Sequence, residues 1–182
     1  GMVLYVADDP GPISSQTEQD TRRYASFAKM PVLDPSTPEQ GFAMMKEAFE
    51  LSERYHTPVI VRPTTRICHA SAFFDVADHT VARAVPEEGF VRDSKWVIFP
   101  ARALAAHHDI NKRLPEIGAE FSRGPLAAAF NPVVRGGEKE AHDPILGIVA
   151  GGVSAAYVRE ALQMIEKRAA EQGAFVPAYK FM

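Results

Sequence analysis

The sequence has 182 residues, of which 46% are hydrophobic and 24% charged, so it holds enough apolar material for one hydrophobic core. Its formal net charge of −3 provides no broad cationic surface, which argues against nucleic acid as a partner. No apolar run could span a membrane and the one cysteine, Cys68, excludes an internal disulfide, so we expect a cytoplasmic protein without membrane contacts.

The first strand and helix have clear sequence signals. Residues 2–7 are continuously apolar and predict a buried strand. Ser15 and Glu18 have the spacing of a capping box, which predicts that a helix begins at Ser15. Such a helix would have an apolar face with Tyr24, Phe27 and Ala28, and a polar face with Gln16, Gln19, Asp20 and Arg23.

The strand and helix pattern then repeats. Residues 31–33 predict a short strand, and Thr37, Pro38 and Gln40 are the cap, first and third residues of a second helix. Residues 58–62 predict the next strand. This alternation predicts an α/β fold with a parallel sheet, flanking helices and right-handed crossovers.

The middle of the chain is less regular. Residues 66–69 and 96–99 have extended-type composition, and residues 101–123 predict a helix that Pro115 kinks or divides. Residues 131–144 are rich in glycine, proline and charge, which predicts a linker.

Residues 145–182 predict one βαβ unit. Its parts in order are a strand at 145–150, a turn at Gly151 and Gly152, a helix from the cap Ser154 to Gly173, and a strand from 174. Because Gly1 leads directly into a core strand and the chain stops after one βαβ unit, we expect an internal piece of a longer protein.

Polar side chains crowd residues 8–20, directly after the first strand. Helix capping accounts for Ser15 and Glu18, but it does not account for the remaining polar residues together. In parallel α/β sheets, ligands bind at the carboxyl ends of strands. The loop is therefore either an ordinary helix start or part of a binding site.

Two further features could bind anions. Arg62 and Arg66 follow a strand, where they could clamp a carboxylate or phosphate, or pair with Asp8, Asp9 or Asp20. Backbone amides after the turn at 151–152 could also bind an anion, although the turn lacks the remaining residues of a dinucleotide or nucleotide motif. No spacing of metal ligands predicts a metal site.

Several motifs together resemble one family. They include Ala7-Asp8-Asp9-Pro10-Gly11, Ser14-Ser15-Gln16-x-Glu18-Gln19-Asp20, Thr64-Thr65-Arg66-x-x-His69 and Leu146-Gly147-Ile148-Val149-x-Gly151-Gly152. The chain resembles the 2-oxoacid:ferredoxin oxidoreductases, and within them the large (alpha) subunits that act on indolepyruvate. Two positions depart from the family pattern: Thr17 replaces an expected asparagine, and Pro63 interrupts a threonine run.

The resemblance implies a particular domain order. Residues 1–130 would be the carboxyl-terminal part of a pyrimidine-type thiamine-diphosphate-binding domain, and residues 145–182 the incomplete start of a transketolase-C-terminal-like domain. The glutamate that activates the aminopyrimidine, the magnesium site and the iron–sulfur segment would lie outside this sequence. We therefore expect the chain alone to be inactive and to bind none of these cofactors.

The resemblance also implies an activity. The complete complex would oxidatively decarboxylate arylpyruvates with coenzyme A, using thiamine diphosphate, Mg²⁺ and [4Fe-4S] clusters, and would pass electrons to ferredoxin. A second subunit and homo-oligomerisation are expected. Another 2-oxoacid substrate (pyruvate, a branched-chain oxoacid or 2-oxoglutarate) and a non-catalytic scaffold of the same fold remain the alternatives.

Under this resemblance, the polar residues acquire positioning roles rather than catalytic ones. The implied substrate-binding residues are Arg62 and Arg66. The implied cofactor-binding residues are Asp9, Ser14, Ser15, Gln16, Glu18, Gln19 and Asp20.

Overall fold

The chain forms six helices, one 3-10 turn and two small sheets in a computed structural model that describes residues 1–76, 84–137 and 146–182. In chain order the elements are β1 (Val3–Tyr5), α1 (Arg22–Ala28), β2 (Val32–Leu33), α2 (Pro38–Tyr55), β3 (Val59–Val61), α3 (Thr65–Cys68), the 3-10 turn (Ser94–Trp96), α4 (Pro100–Arg123), α5 (Pro125–Phe130), β4 (Val134–Gly136), β5 (Leu146–Ile148), α6 (Val153–Gln172) and β6 (Tyr179–Phe181).

The first sheet is parallel, as the alternation of strands and helices predicted. Its order is β1-β3-β2, with Tyr5 and Leu33 paired on either side of Val61. The central strand β3 is fully buried and packs against α2, whose Ala48 and Leu51 are both 0% exposed. Continuous burial explains the unbroken apolar sequence of β3. The predicted α/β class is confirmed.

The prediction of a buried strand at residues 2–7 is only partly right. The strand β1 has three residues and, among the strands that the structure describes, pairs only with β3, which places it at the edge of this sheet. Tyr5 is 58% exposed there. An apolar run cannot distinguish an edge strand from a central one.

The predicted helix start at Ser15 is wrong. The helix α1 begins at Arg22, and residues 10–20 form turns and bends in which every residue from 11 to 20 is exposed. The apolar face predicted for this helix is also wrong, since Tyr24 and Phe27 are 62% and 87% exposed. The side chains of Ser15 and Glu18 form loop contacts instead of helix caps.

The second helix begins as predicted. Thr37 is extended and its Oγ1 accepts a hydrogen bond of 3.1 Å from the amide of Gln40. Pro38 is the first helical residue, where its missing amide hydrogen costs nothing. The Gln40 side chain accepts from the backbone amide of Ser36 rather than that of the cap.

The predictions for the middle of the chain are partly right. Residues 65–68 form the single helical turn α3, so the segment 66–69 is not extended. Trp96 ends a 3-10 turn, whereas Val97 and Phe99 have extended backbone dihedrals, as predicted for 96–99, without forming a strand. The helix α4 continues from Pro100 to Arg123, so Pro115 does not divide it.

The second sheet has the order β4-β6-β5. Strands β5 and β6 are parallel and α6 connects them, which confirms the βαβ unit, although its last strand begins at Tyr179 rather than at 174. Gly173 ends α6 in the left-handed conformation, as predicted. Ser154 is not the cap, because Gly152 occupies that position.

The segment predicted as a linker supplies a strand. Within residues 131–144, β4 pairs antiparallel with β6 and extends the second sheet. Residues 138–145 lie outside the described residues, so the domain boundary remains a prediction. Within the described ranges, no helix has the length and apolar character needed to cross a membrane.

Candidate functional site

The carboxyl ends of the three parallel strands bring the predicted polar segments together. The amide of Asp8 donates to the carbonyl of Pro63 at 2.9 Å, and the amide of Thr65 donates to the carbonyl of Asp8 at 2.8 Å. These bonds continue the pairing of β1 and β3 beyond the strands. The loop after β1 and the loop after β3 therefore form one edge of the site.

Asp9 organises the loop after β1. Its Oδ2 accepts hydrogen bonds of 3.0, 3.1 and 3.1 Å from the amides of Ile13, Ser14 and Ser15, and one of 2.8 Å from Ser15 Oγ. These donors hold the pKa of the Asp9 carboxyl far below its usual value, the Ser15 amide most strongly. Asp9 thus shapes the loop and stays ionised.

The remaining loop side chains project outward. Ser14, Gln16, Glu18, Gln19 and Asp20 are all exposed. Glu18 Oε1 accepts from the Gly11 amide at 3.0 Å, and Gln19 Nε2 approaches the Ala7 carbonyl at 3.5 Å. Asp20 binds the guanidinium of Arg22, which lowers the pKa of its carboxyl. The loop therefore presents polar groups to whatever occupies the sheet edge.

A small cavity joins this loop to α3. Its wall includes Ser14, Ser15 and Gln19 on one side and Cys68 and His69 on the other. The extended backbone predicted for residues 66–69 would put the neighbouring side chains of Cys68 and His69 on opposite faces of a strand. The helical turn α3 instead leaves both on the wall of this cavity. A helical turn predicted after β3 would have placed Cys68 and His69 near the loop that follows β1.

Arg62 is a buried cation with several acidic neighbours. Its Nε donates to Asp8 Oδ2, its Nη1 donates to Asp34 Oδ2 at 2.8 Å, and its Nη2 lies 3.8 Å from Asp20 Oδ1. The side chain is 3% exposed. Of the two alternatives, the geometry favours pairing with carboxylates over binding a free ligand.

Burial acts differently on the two main partners of Arg62. Burial raises the pKa of Asp8, but the Thr21 amide and the Arg62 guanidinium outweigh that effect and leave the pKa lowered. Burial of Asp34 is the dominant effect and raises the pKa of its carboxyl despite Arg62. Asp34 was not among the predicted site residues.

Arg66 is exposed and faces α6. Its Cζ lies 6.0 Å from the centre of the Tyr157 ring. Arg66 and Tyr157 line a cavity of about 710 Å³ between the edge of the first sheet and the turn at Gly151 and Gly152. The two arginines therefore differ in their environment: Arg62 is buried and paired with carboxylates, whereas Arg66 is exposed on the wall of a cavity.

The residues present fit part of a thiamine diphosphate site. Exposed amide and hydroxyl groups of Ser14, Gln16 and Gln19 can hydrogen-bond the rim of a polar ring system. No group of three or more potential metal-binding His, Cys, Asp or Glu side chains occurs in the described part of the chain. The exposed side chains of this loop therefore offer hydrogen bonds to the organic part of such a cofactor.

The fold and the site define the class: an α/β protein whose polar groups gather at the carboxyl edge of a parallel sheet, where such proteins hold ligands. The Indolepyruvate oxidoreductase subunit IorA of Methanothermobacter thermautotrophicus is 38% identical to 91% of this chain, which corresponds to 25% of that relative. The subunit IorA of Thermococcus kodakarensis is 43% identical over 89% of the chain and 24% of its own length. That of Archaeoglobus fulgidus is 35% identical over 90% and 25%.

The chain is homologous to a segment of these indolepyruvate oxidoreductase IorA subunits, which confirms the resemblance found in its motifs. It spans about a quarter of the length of the curated relatives it matches. No family model matches the chain, and no solved structure matches it significantly.

Proposed function

We propose that the complete protein is the large subunit of an oxidoreductase that decarboxylates indolepyruvate and related arylpyruvates. The substrate would react with coenzyme A to give an aryl-acetyl-CoA, carbon dioxide, a proton and two electrons, and the electrons would pass to ferredoxin. Two features support the proposal: the names of the IorA relatives and the polar loop that Asp9 holds at the sheet edge. The loop is the observation that carries the proposal, because Asp9 holds its backbone in place while the side chains of Gln16 and Gln19 stay exposed to a ligand.

In this proposal, the residues of this chain position groups and move no proton. Asp9 fixes the loop through the amides of Ile13, Ser14 and Ser15. Gln16 and Gln19 present amide groups to the cofactor and substrate. When bound, thiamine diphosphate supplies the carbanion chemistry of decarboxylation. Mg²⁺, [4Fe-4S] clusters and coenzyme A would bind elsewhere in the complex, and this segment alone would be inactive.

The proposed assembly has a second subunit, as the word subunit in the relatives' names implies for those proteins. We also propose that the complex is a homo-oligomer of such pairs in the cytoplasm. Several large apolar side chains on the described surface are available for contacts, among them Phe27, Phe73, Phe90 and Ile98, with exposed fractions between 84% and 104%.

The test is an assay of the purified subunit pair with coenzyme A and a viologen dye as electron acceptor. Indolepyruvate and phenylpyruvate are expected to reduce the dye with the largest kcat/KM. Pyruvate, a branched-chain oxoacid and 2-oxoglutarate serve as comparison substrates. Preference for any of these three would assign the protein to another branch of the family.

The same assay distinguishes an enzyme from a non-catalytic scaffold of the same fold. A scaffold would reduce no dye with any oxoacid, even when thiamine diphosphate and Mg²⁺ are supplied. The full reading frame provides an independent check, because an enzyme needs a glutamate for the aminopyrimidine and a magnesium motif.

A further inference from the structure

Residues 84–109 form an arm that does not pack against the rest of the described structure. Every residue of the arm is exposed, although it contains the 3-10 turn and the first part of α4. Among the described residues, the hydrogen bonds of the arm outside α4 are local. The Gly89 amide donates to the Pro86 carbonyl at 3.0 Å, and the Lys95 amide donates to Asp93 Oδ1 at 2.8 Å. The two cores of the fold therefore contribute nothing to covering this segment.

The second half of α4 fixes the arm to the first sheet. Ile117 in that half is 6% exposed. Arg113 Nη2 donates to Thr57 Oγ1 at 3.2 Å, ahead of β3, and Arg54 Nη1 of α2 donates to Glu120 Oε1 at 2.8 Å. One continuous helix thus changes from fully exposed to packed along its length. The exposed half is held in a defined place beside the sheet, as a docking element has to be.

The composition of the arm is that of a buried segment rather than of a solvated linker. Segments that stay solvated are poor in aromatic and β-branched residues. The arm exposes eight large apolar side chains by 53% to 91%: Val85, Phe90, Val91, Trp96, Val97, Ile98, Phe99 and Leu104.

The exposed apolar area of the arm is large for a free surface. Phe90, Trp96 and Phe99 are 84%, 69% and 65% exposed. At 150–250 Å² for a whole aromatic side chain, these three leave roughly 300–550 Å² in water. That already equals the largest apolar patch of a typical monomer, before the five aliphatic side chains are added. Another polypeptide surface is needed to cover the arm.

The charges of the arm limit the chemistry of that surface. Its acidic residues are Glu87, Glu88, Asp93 and Asp109, and its basic residues are Arg92, Lys95 and Arg102. The two signs nearly cancel, so a strongly charged surface of either sign gains little from binding here. The matching surface is therefore apolar with a mixed polar rim, as in the interface between two domains.

The length of the relatives indicates where such a surface is found. The IorA subunit of Methanothermobacter thermautotrophicus matches this chain with 25% of its own length and has the other three quarters outside the match. A surface on the same polypeptide is present at millimolar effective concentration, which a separate chain does not reach in dilute solution. Tethering therefore favours a contact within one subunit over a contact with a second copy or a second subunit.

We propose that the arm docks on polypeptide of the same subunit that lies outside this segment, and that the arm is buried in the complete subunit. The inference rests on the proposed function only in taking the complete protein to be a large subunit of the IorA type, and it requires no activity. Contacts between copies then use apolar residues outside the arm, such as Phe27.

The experiment is amide hydrogen exchange, read by mass spectrometry, on the full-length large subunit and on the subunit pair. Peptides from residues 84–99 carry the readout, because they precede α4 and no α-helical hydrogen bonds slow their exchange. In the large subunit alone they should exchange about tenfold or more slowly than unstructured peptides of the same sequence. The protection should be equal at two protein concentrations that differ tenfold, and the second subunit should add little to it.

A double substitution tests the aromatic side chains directly. Trp96→Asp with Phe99→Asp should return residues 84–95 to rapid exchange, because two carboxylates would have to enter an apolar interface. Met164→Asp is the matched control, since Met164 on α6 is 65% exposed, as Phe99 is, and lies outside the arm. It should leave exchange in the arm unchanged.

Three results with the unmodified protein would each overturn the proposal. Exchange at the unstructured rate in both preparations would make the arm a solvated linker. Protection that requires the second subunit would assign the arm to the interface between subunits, and protection that increases with concentration would assign it to a second copy. The dye-reduction assay reports on the proposed reaction separately, so the failure of either idea leaves the other testable.

Discussion

Arg62 and Asp8 form a buried ion pair that joins the loop after β3 to the loop after β1. Arg62 Nε donates to Asp8 Oδ2, and the two side chains are 3% and 0% exposed. The amide of Thr21 donates to the same oxygen at 2.9 Å, so the pair also anchors the residue before α1. Because both side chains are buried, water does not screen the attraction between them. The ion pair therefore holds together the two loops of the candidate site, the one after β1 and the one after β3.

Replacing one member of this pair should destabilise the fold strongly. Arg62→Met leaves the Asp8 carboxylate buried without its counter-ion, and we expect the free energy of unfolding to fall by about 3–5 kcal/mol. Urea denaturation followed by circular dichroism measures this. In the double variant Asp8→Asn, Arg62→Met the loss should be smaller, because no unpaired carboxylate remains at position 8. A single variant within about 1 kcal/mol of the wild type would contradict a structural role for the pair.

Asp34 should give the protein a stability that increases on mild acidification. Burial raises the pKa of its carboxyl, so the folded state binds this proton more tightly than the unfolded state does. Its contribution is complete below the unfolded pKa of about 3.9 and is lost as the pH rises through the folded pKa. Asp34→Asn should remove this dependence. Denaturation midpoints between about pH 4 and 7 test it, and parallel profiles for the two proteins would exclude the effect.

Asp9 should control the order of the loop after β1. Asp9→Asn replaces a carboxylate that accepts four hydrogen bonds with a neutral amide oxygen, which is a weaker acceptor. We expect amide hydrogen exchange at Ile13 and Ser15 to accelerate about tenfold or more. Ser14→Ala is the control, because the bond from Ser14 to Asp9 comes from its backbone amide and survives the change. Unchanged exchange in the Asp9 variant would mean that other contacts hold the loop.

Gln16 and Gln19 test whether the loop serves the reaction. Both are exposed, so replacing them together with alanine should leave the melting temperature unchanged. If they position cofactor or substrate, turnover by the complete subunit pair should fall more than about tenfold. Arg23→Ala, a neighbouring exposed residue on α1, should leave turnover unchanged. Normal kinetics in the glutamine variant would limit this loop to a structural role.

The sequence predicted well those elements whose signals are local and strong. The helix α2 begins where Thr37 and Pro38 indicate, and β3 is the buried strand that its unbroken apolar sequence predicts. In both, the local preference agrees with the burial that the fold imposes. The predicted helix cap at Ser15 is wrong because the amide and the hydroxyl of Ser15 both donate hydrogen bonds to Asp9, six residues earlier, and so belong to the loop. The capping-box spacing of Ser15 and Glu18 contains no information about Asp9.

The site was predictable at the level of the sheet edge but not of individual partners. In a parallel sheet the carboxyl ends of all strands lie at one edge, so Asp9 and Arg62 were expected at the same edge. The observed order β1-β3-β2 makes their two loops neighbours. Of the carboxylates that the sequence offered as partners of Arg62, Asp8 is confirmed, whereas the second partner, Asp34, follows a different strand and was not predicted. The proximity of Arg66 to Tyr157 depended on packing between the two sheets, for which the sequence contains no periodic signal.

Gly152 links the two sheets, and its substitution should reveal how tightly they are joined. Its φ of 56° and ψ of −142° are strongly unfavourable for any residue with a Cβ, and a Cβ there would lie 2.4 Å from Asp34 Oδ1. Gly152→Ala should therefore lower the free energy of unfolding by about 2 kcal/mol or more, through backbone strain and displacement of Asp34. Gly151→Ala is the matched control, because a Cβ at that position meets nothing within 4 Å. Thermal denaturation of both variants measures the difference, and equal effects at the two glycines would show that contact with Asp34 does not restrict the start of α6.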